Sequence, residues 1–363
     1  MNAGIYIHVP FCAVKCPYCD FYSVRYSRET AARYADAICR NLLALPEGLA
    51  ADTVYFGGGT PSLLSADMIR NFLDIIRRRC CLAEDAEITL EANPLTAIPD
   101  RLRAWKRAGV NRLSLGTQSF DAEILHILGR KHTPEQGIQA IRNAADAGFS
   151  NLSADLMLGL TQHTETRWQQ ELETAAALPV SHISAYMLKI EEHTPFGLHP
   201  PDLLDDDMLA DRYLQMHDVL TANGFHHYEI SNFARGAENR SRHNCKYWQL
   251  APYYGIGPAA HSCHDGKRFA VSRDLEAFCA AAVQQEEITE WNAGSESERI
   301  MLGLRLAEGI RLDSIPQSRE RLMRRAKPLI PEYLQTDGNV IRMTPQGWLV
   351  SNAVLVHLDT ASE

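Results

Sequence analysis

The chain has 363 residues, 45% hydrophobic and 22% charged, the balance of an ordinary globular protein, which excludes long disorder, collagen-like sequence and a coiled coil. With 36 basic against 45 acidic residues the formal net charge is −9, so no basic field awaits a phosphate backbone and nucleic acid is not an expected partner. Nine cysteines, an odd number at low density, suit a reducing cytoplasm better than a disulfide scaffold. The opening residues, Met1 to Tyr6, lack the basic and apolar regions of an export signal, and prolines break the uncharged stretches 174–188 and 247–263, so no membrane span is expected.

In chain order, short β-branched or aromatic runs predict strands at 4–9, 53–57, 87–92, 112–116, 152–158 and 182–188. Amphipathic helices separate them. Ile69, Phe72, Leu73 and Ile76 fall at i, i+3, i+4 and i+7, and Ile138, Ile141 and Ala145 repeat the pattern before Gly148 stops that helix. Six successive βα units without a reversed second set predict an α/β fold, a partial (β/α)6 TIM-like barrel rather than a doubly wound sheet. A helix over 205–223 and a strand over 228–231 complete a core domain, 1–234. Periodicity is lost between Arg235 and Gly266, within an expected connecting segment, 235–289.

A smaller C-terminal α+β domain is expected over 290–363. There Ser295-Glu296-Ser297-Glu298 has capping-box spacing, and 340–349 reads as a hairpin turning at Pro345-Gln346-Gly347. Nine basic against ten acidic residues in this domain leave no charge for DNA, and the Arg319 to Lys327 cluster reads as a solvated helix face.

Cys12, Cys16 and Cys19 lie within eight residues, directly after the first strand. A structural zinc site wants four ligands, and no fourth Cys or His follows at zinc-finger spacing. A 4Fe-4S cluster is different: three cysteines hold three irons and leave the fourth open to an exchangeable ligand. Three unrelated thiols are the alternative, but the C-terminal end of a barrel strand is where such enzymes place chemistry.

The spacing CxxxCxxC resembles the signature of the radical S-adenosylmethionine (SAM) superfamily, and Tyr6-Ile7-His8-Val9-Pro10-Phe11-Cys12 resembles its oxygen-independent coproporphyrinogen oxidase branch. The resemblance implies that the open iron binds the amino and carboxylate groups of SAM, and that an electron from the cluster cleaves it to methionine and a 5′-deoxyadenosyl radical. Gly57-Gly58-Gly59-Thr60-Pro61 resembles the family's GGTP segment, so Gly58, Gly59 and Thr60 are expected at the methionine amino group. Glu91, Gln118, Arg130 and Asp155 match the family's SAM-contacting residues, with Tyr6 and Tyr18 flanking the cluster; taken singly, each also reads as a surface or structural polar residue. Where the family continues Gly-Leu-Pro-x-Gln-Thr, this chain has Gly159-Leu160-Thr161-Gln162-His163-Thr164, and loss of the proline is expected to loosen that loop.

Two functions compete within the branch: coproporphyrinogen III decarboxylation, and haem carriage by chaperones of the HemW type. The oxidases resemble CxxxCxxCxC, but here Cys19-Asp20 leads to Phe21, and the oxidases carry an extension before a cluster strand that begins here near Gly4. His243-Asn244-Cys245-Lys246-Tyr247-Trp248 matches the HNxxYW element proposed as a haem site in the chaperones. His243 or Cys245 are candidate axial iron ligands, and Tyr247 with Trp248 would cover a porphyrin face. Alternatively His243 and Asn244 satisfy backbone groups while the aromatics pack between domains, and His261 or His264 serve instead. A haem chaperone is the expected function, with 4Fe-4S cluster, SAM and haem as its cofactors. Haem-accepting proteins and an electron donor for the cluster are the expected partners, with membrane contact at most peripheral and a homodimer allowed. A radical SAM enzyme acting on RNA is disfavoured by the acidic balance.

Overall fold

A computed structural model describes residues 1–358. All six predicted strands form: β1 (Ala3–Val9), β2 (Ala50–Gly58), β3 (Cys81–Ala92), β4 (Arg112–Gln118), β5 (Asn151–Leu158) and β6 (His182–Met187). They pair in parallel in that order. After β6 come β7 (His226–Glu229) and β8 (Asn232–Ala234), then β9 (Tyr253–Ile256), β10 (His261–His264), β11 (Lys267–Val271) and β12 (Glu286–Glu290). The resulting 12-stranded sheet runs β12-β11-β10-β9-β1-β2-β3-β4-β5-β6-β8-β7 and is open, since β12 and β7 do not meet.

Residues 235–289 therefore do more than connect. They add β9, a seventh parallel strand beside β1, and an antiparallel meander beyond it. The expected hairpin at 340–349 is a correction: Val340–Met343 is a strand, but Pro345–Leu349 is helical. Pro345 occupies the first helical position and the Thr344 hydroxyl accepts the Gly347 amide, so the Thr-Pro pair starts a helix instead of a turn. The true hairpin pairs Leu334–Thr336 with Val340–Met343 across Asp337-Gly338-Asn339.

Alternation along the strands sorts the side chains. Val54, Phe56, Ile88, Leu90, Leu113 and Leu115 are buried in the apolar core with the helices. Their neighbours Tyr55, Glu91, Ser114 and Asp155 point to the opposite face and border one cavity. The helices are α1 (Arg28–Ala44), α2 (Ala66–Arg79), α3 (Pro99–Ala108), α4 (Pro134–Asp146), α5 (Glu165–Ala177), α6 (Asp206–Ala222) and the short α7 (Arg242–Trp248), which carries the HNxxYW element. The smaller C-terminal region packs on β7: the Ala307 amide donates to the Tyr228 carbonyl, and the Trp348 ring meets His227 edge-on at 4.5 Å.

Candidate functional site: a cavity at the strand ends

A cavity of about 690 Å³ opens at the C-terminal ends of the parallel strands, the position at which βα loops place ligand chemistry. Cys12, Cys16 and Cys19, all free and half-buried, lie on its wall. The Arg130 Nη1 donates to Cys16 Sγ at 3.5 Å and the Thr60 hydroxyl to Cys12 Sγ at 3.6 Å, so two of the three sulfurs already face hydrogen-bond donors. Burial raises the Cys19 thiol, and the neighbouring Cys12 and Cys16 raise it further, because three thiolates together repel unless a cationic centre joins them. An iron–sulfur cube is such a centre, and the donor set fits it. Among the described residues no His, Cys, Asp and Glu side chains gather as they would around a single metal ion.

Gly58 ends β2, and Gly59 and Thr60 follow it on the same wall. A Cβ on Gly59 would stand 2.7 Å from the Phe11 carbonyl oxygen, and one on Gly58, at φ +108°, would stand 2.7 Å from the His8 ring. These glycines let the β2 end press on the loop that carries the cysteines, and Thr60 N bonds Phe11 O at 2.7 Å. The glycine turn and the cysteine loop are thus one packed unit.

Two half-buried carboxyls also line the cavity. Glu91 accepts from the Tyr55 hydroxyl at 2.8 Å and Asp155 from the Ser114 hydroxyl at 2.9 Å. Burial pushes each up to about 7, and for Glu91 the proximity of Asp155 adds to the rise. Neither makes an ion pair among the described residues, so both suit a ligand bearing hydroxyls or positive charge. Gln118 sits at φ 65°, in the left-handed region, where a register shift in β4 turns its backbone, and its side-chain oxygen accepts from Tyr186 at 2.8 Å. Arg130 Nη2 donates to the Gly116 carbonyl at 2.6 Å, while its buried Nε has no partner. Tyr18 lines the cavity. Tyr6 stands behind it, its hydroxyl on His8 Nδ1 at 3.1 Å and its ring against Tyr55.

The four haem candidates lie elsewhere. His243 is fully buried, with Nδ1 on the Thr53 hydroxyl at 2.8 Å and Nε2 on the Tyr247 hydroxyl at 2.9 Å, so both ring nitrogens are engaged. Burial holds the Cys245 thiol up to about 12 and hence protonated. Tyr247 meets Tyr253 edge-on, and Arg305 lies over the Trp248 ring. It is Ser241 and Asn244, at the start of α7, that reach the cavity. His264 is stacked between Tyr254 and Phe269, and His261 is exposed on the same strand, β10. The loop expected to be loosened at Thr161 is pinned: its amide bonds the Asp202 carbonyl at 3.1 Å, and Leu160 bridges to Leu203.

Sequence reasoning missed Tyr55, Tyr186, Arg112, His182 and Asn232, all on the cavity. Arg112 and His182 each begin a strand, and only the period-two alternation that sends Ser114 and Ser184 inward marks their face.

Comparison with known proteins gives the class. Residues 6–175 match the radical SAM superfamily and residues 297–350 the HemN C-terminal domain, so a 4Fe-4S cluster and SAM follow from the family. The fold is that of the Escherichia coli coproporphyrinogen III oxidase HemN, described as a radical SAM enzyme: TM-score 0.80 at 20% identity, covering 99% of this chain and 90% of that one. Among curated relatives, the protein named heme chaperone HemW of Lactococcus lactis is 33% identical over 96% of this chain and 95% of its own. The one of that name from E. coli is 43% identical over 71% of this chain and 69% of its own. The chain belongs to the HemW family.

Proposed function

We propose that the protein is a cytoplasmic haem chaperone, binding haem and handing it to acceptor proteins, respiratory haem proteins among them. The observation that carries this reading is the similarity to proteins named heme chaperone HemW along nearly the whole chain. Cys12, Cys16 and Cys19 would hold the cluster, which supplies an open iron for SAM and an electron when reduced. Around it, the chain's own groups bind and orient. The turn at Gly58, Gly59 and Thr60 offers backbone polar groups to the SAM amino group, Arg130 offers a guanidinium to its carboxylate, and Glu91 and Asp155 accept ribose hydroxyls. Tyr6, Tyr18 and Gln118 border these contacts.

Haem is assigned to α7 and its surroundings. Ligation through His243 requires release of its bonds to Thr53 and Tyr247, and ligation through Cys245 requires loss of a firmly held proton. Tyr247 and Trp248 would then cover the porphyrin. An electron donor for the cluster and a homodimer belong to the same proposal; contact with a membrane would be peripheral, since among the described residues no helix is long and apolar enough to cross one.

Titration of the anaerobically reconstituted protein with haem, read by absorbance, tests the reading. A saturable haem band that passes to an added apo-acceptor supports it. Absence of binding, or conversion of coproporphyrinogen III to protoporphyrinogen by the reduced protein with SAM, overturns it.

A further inference from the structure

On the cavity lies a buried cation that makes no ion pair among the described residues, although it acts through space on the Asp155 carboxyl. Arg112 is 2% exposed, yet it lines the cavity. A guanidinium carries five N–H donors. Here Nη1 donates to the Asn151 side chain and, at 3.2 Å, to the Asn239 carbonyl, both neutral acceptors, while the buried Nε has no partner. Neighbouring carboxylates are engaged with other groups. Asp155 is bonded to Ser114 and Glu91 to Tyr55, Glu87 accepts the amides of Arg242 and His243, and Glu229 accepts from Asn232. A buried, incompletely bonded charge is costly to maintain, and an anionic ligand would relieve that cost.

A second polar group reaches the same cavity. Asn244, in α7, lines the cavity, and its side-chain amide makes no hydrogen bond among the described residues; its backbone N–H is engaged with Ser241 Oγ at 3.4 Å. Of the HNxxYW element it is Asn244, rather than His243 or Tyr247, that faces the open space. A fork of guanidinium donors and a carboxamide donor lining one cavity match the two oxygens of a carboxylate.

We propose that Arg112 and Asn244 form a carboxylate subsite on the cavity that seats one propionate of the carried tetrapyrrole. The proposal rests on the haem reading above and adds the polar anchor which that reading lacks. SAM also bears a carboxylate, and the test separates the two sources. Full-length reconstituted protein is titrated with haem, with haem dimethyl ester, whose propionates carry no charge, and with SAM, in the wild type, Arg112→Gln and Asn244→Leu. The wild type is expected to bind the diester about tenfold or more weakly than haem, for loss of a charge-assisted contact. Arg112→Gln should bind both equally weakly and bind SAM as the wild type does, and Asn244→Leu should show a smaller loss of the same preference.

Equal affinity of the wild type for haem and its diester overturns the subsite while leaving the haem reading intact. A preserved preference in Arg112→Gln, or a loss of SAM affinity in its place, overturns it as well. If Arg112→Gln does not fold, the wild-type pair and Asn244→Leu decide alone. No haem binding by the wild type at all would remove the haem reading itself, and the subsite with it.

Discussion

The cavity wall and helix α7 both carry residues that the sequence marks for ligand binding, yet they are built in opposite ways. On the wall, Cys12, Cys16 and Cys19 are free, Arg130 has an unpartnered Nε, and two carboxyls make no ion pair among the described residues: the groups are placed, with capacity left for a ligand. At His243, Cys245 and Tyr247 of α7 the capacity is spent. His243 is bonded at both nitrogens, Tyr247 closes that pair, and Cys245 keeps its proton. On the proposed assignment cluster and SAM would meet a preformed site, whereas haem bound at α7 through His243 would have to displace internal bonds.

The comparison can be broken in several ways. The largest expected effect is on the wall: replacing Cys12, Cys16 and Cys19 together by alanine should abolish cluster content, from about four irons per chain to none, with no comparable loss of folded structure. Iron analysis and electron paramagnetic resonance after anaerobic reconstitution measure this, and a normal cluster signal in the triple variant would refute the assignment.

Next is His243→Ala. A closed α7 predicts a loss of about 3 kcal/mol in denaturant unfolding, from two buried hydrogen bonds and a cavity, with cluster content unchanged. If stability is unaltered, His243 is not the internal strut described above and is available for iron. Gly59→Ala follows, expected to cost about 1–3 kcal/mol and to weaken SAM binding, because the new Cβ meets the Phe11 carbonyl. A variant with wild-type stability and SAM affinity would show that the glycine turn and the cysteine loop are not one unit.

The carboxyls sharpen the contrast through pH. Glu91 and Asp155 are held up to about 7, above the ordinary carboxyl value, so the folded state keeps protons that the unfolded chain has released. Their contribution to the stability of the ligand-free protein should be full at about pH 4 and be lost as pH rises to about 7, while the buried histidines His163, His227 and His243, held below their ordinary value by burial, contribute with the opposite sign. Glu171 and Glu229, raised to about 7 by burial as well, contribute with the sign of Glu91 and Asp155. Glu91→Gln with Asp155→Asn should therefore gain stability relative to the wild type as pH rises from about 4 to about 7, because the falling contribution of these two groups is gone. Melting curves of both proteins across this range check it, and a variant-to-wild-type difference that does not change with pH would mean that the two carboxyls are already ionised. The smallest effect is expected for Cys245→Ala, whose haem affinity should stay within about twofold of the wild type because a protonated thiol is a poor ligand. A large loss would put the axial ligand there.

The core of the fold was legible because its signal is local. Alternation in β2 to β6 and the i, i+3, i+4 pattern of α2 both arise within a dozen residues. Strand β9 was not legible: Tyr253–Ile256 follows a proline, is only four residues long, and owes its place to pairing with β1, about 250 residues earlier in the chain. The Thr344-Pro345 junction misled because proline starts helices as readily as it makes turns. At the site, cysteine spacing singled out the loop that the structure places on the cavity wall, since three sulfurs in eight residues are a chemical statement in themselves. Arg112 passed unnoticed, because an arginine at the start of a strand looks the same in sequence whether it faces water or lines a cavity.

The most direct test of a preformed wall is the electron paramagnetic resonance spectrum of the reduced, reconstituted protein with and without SAM. Coordination of SAM at an open iron beside Arg130, Glu91 and Asp155 predicts a changed line shape on addition of SAM, and loss of that change in Gly59→Ala. A spectrum identical with and without SAM in the wild type would contradict the account.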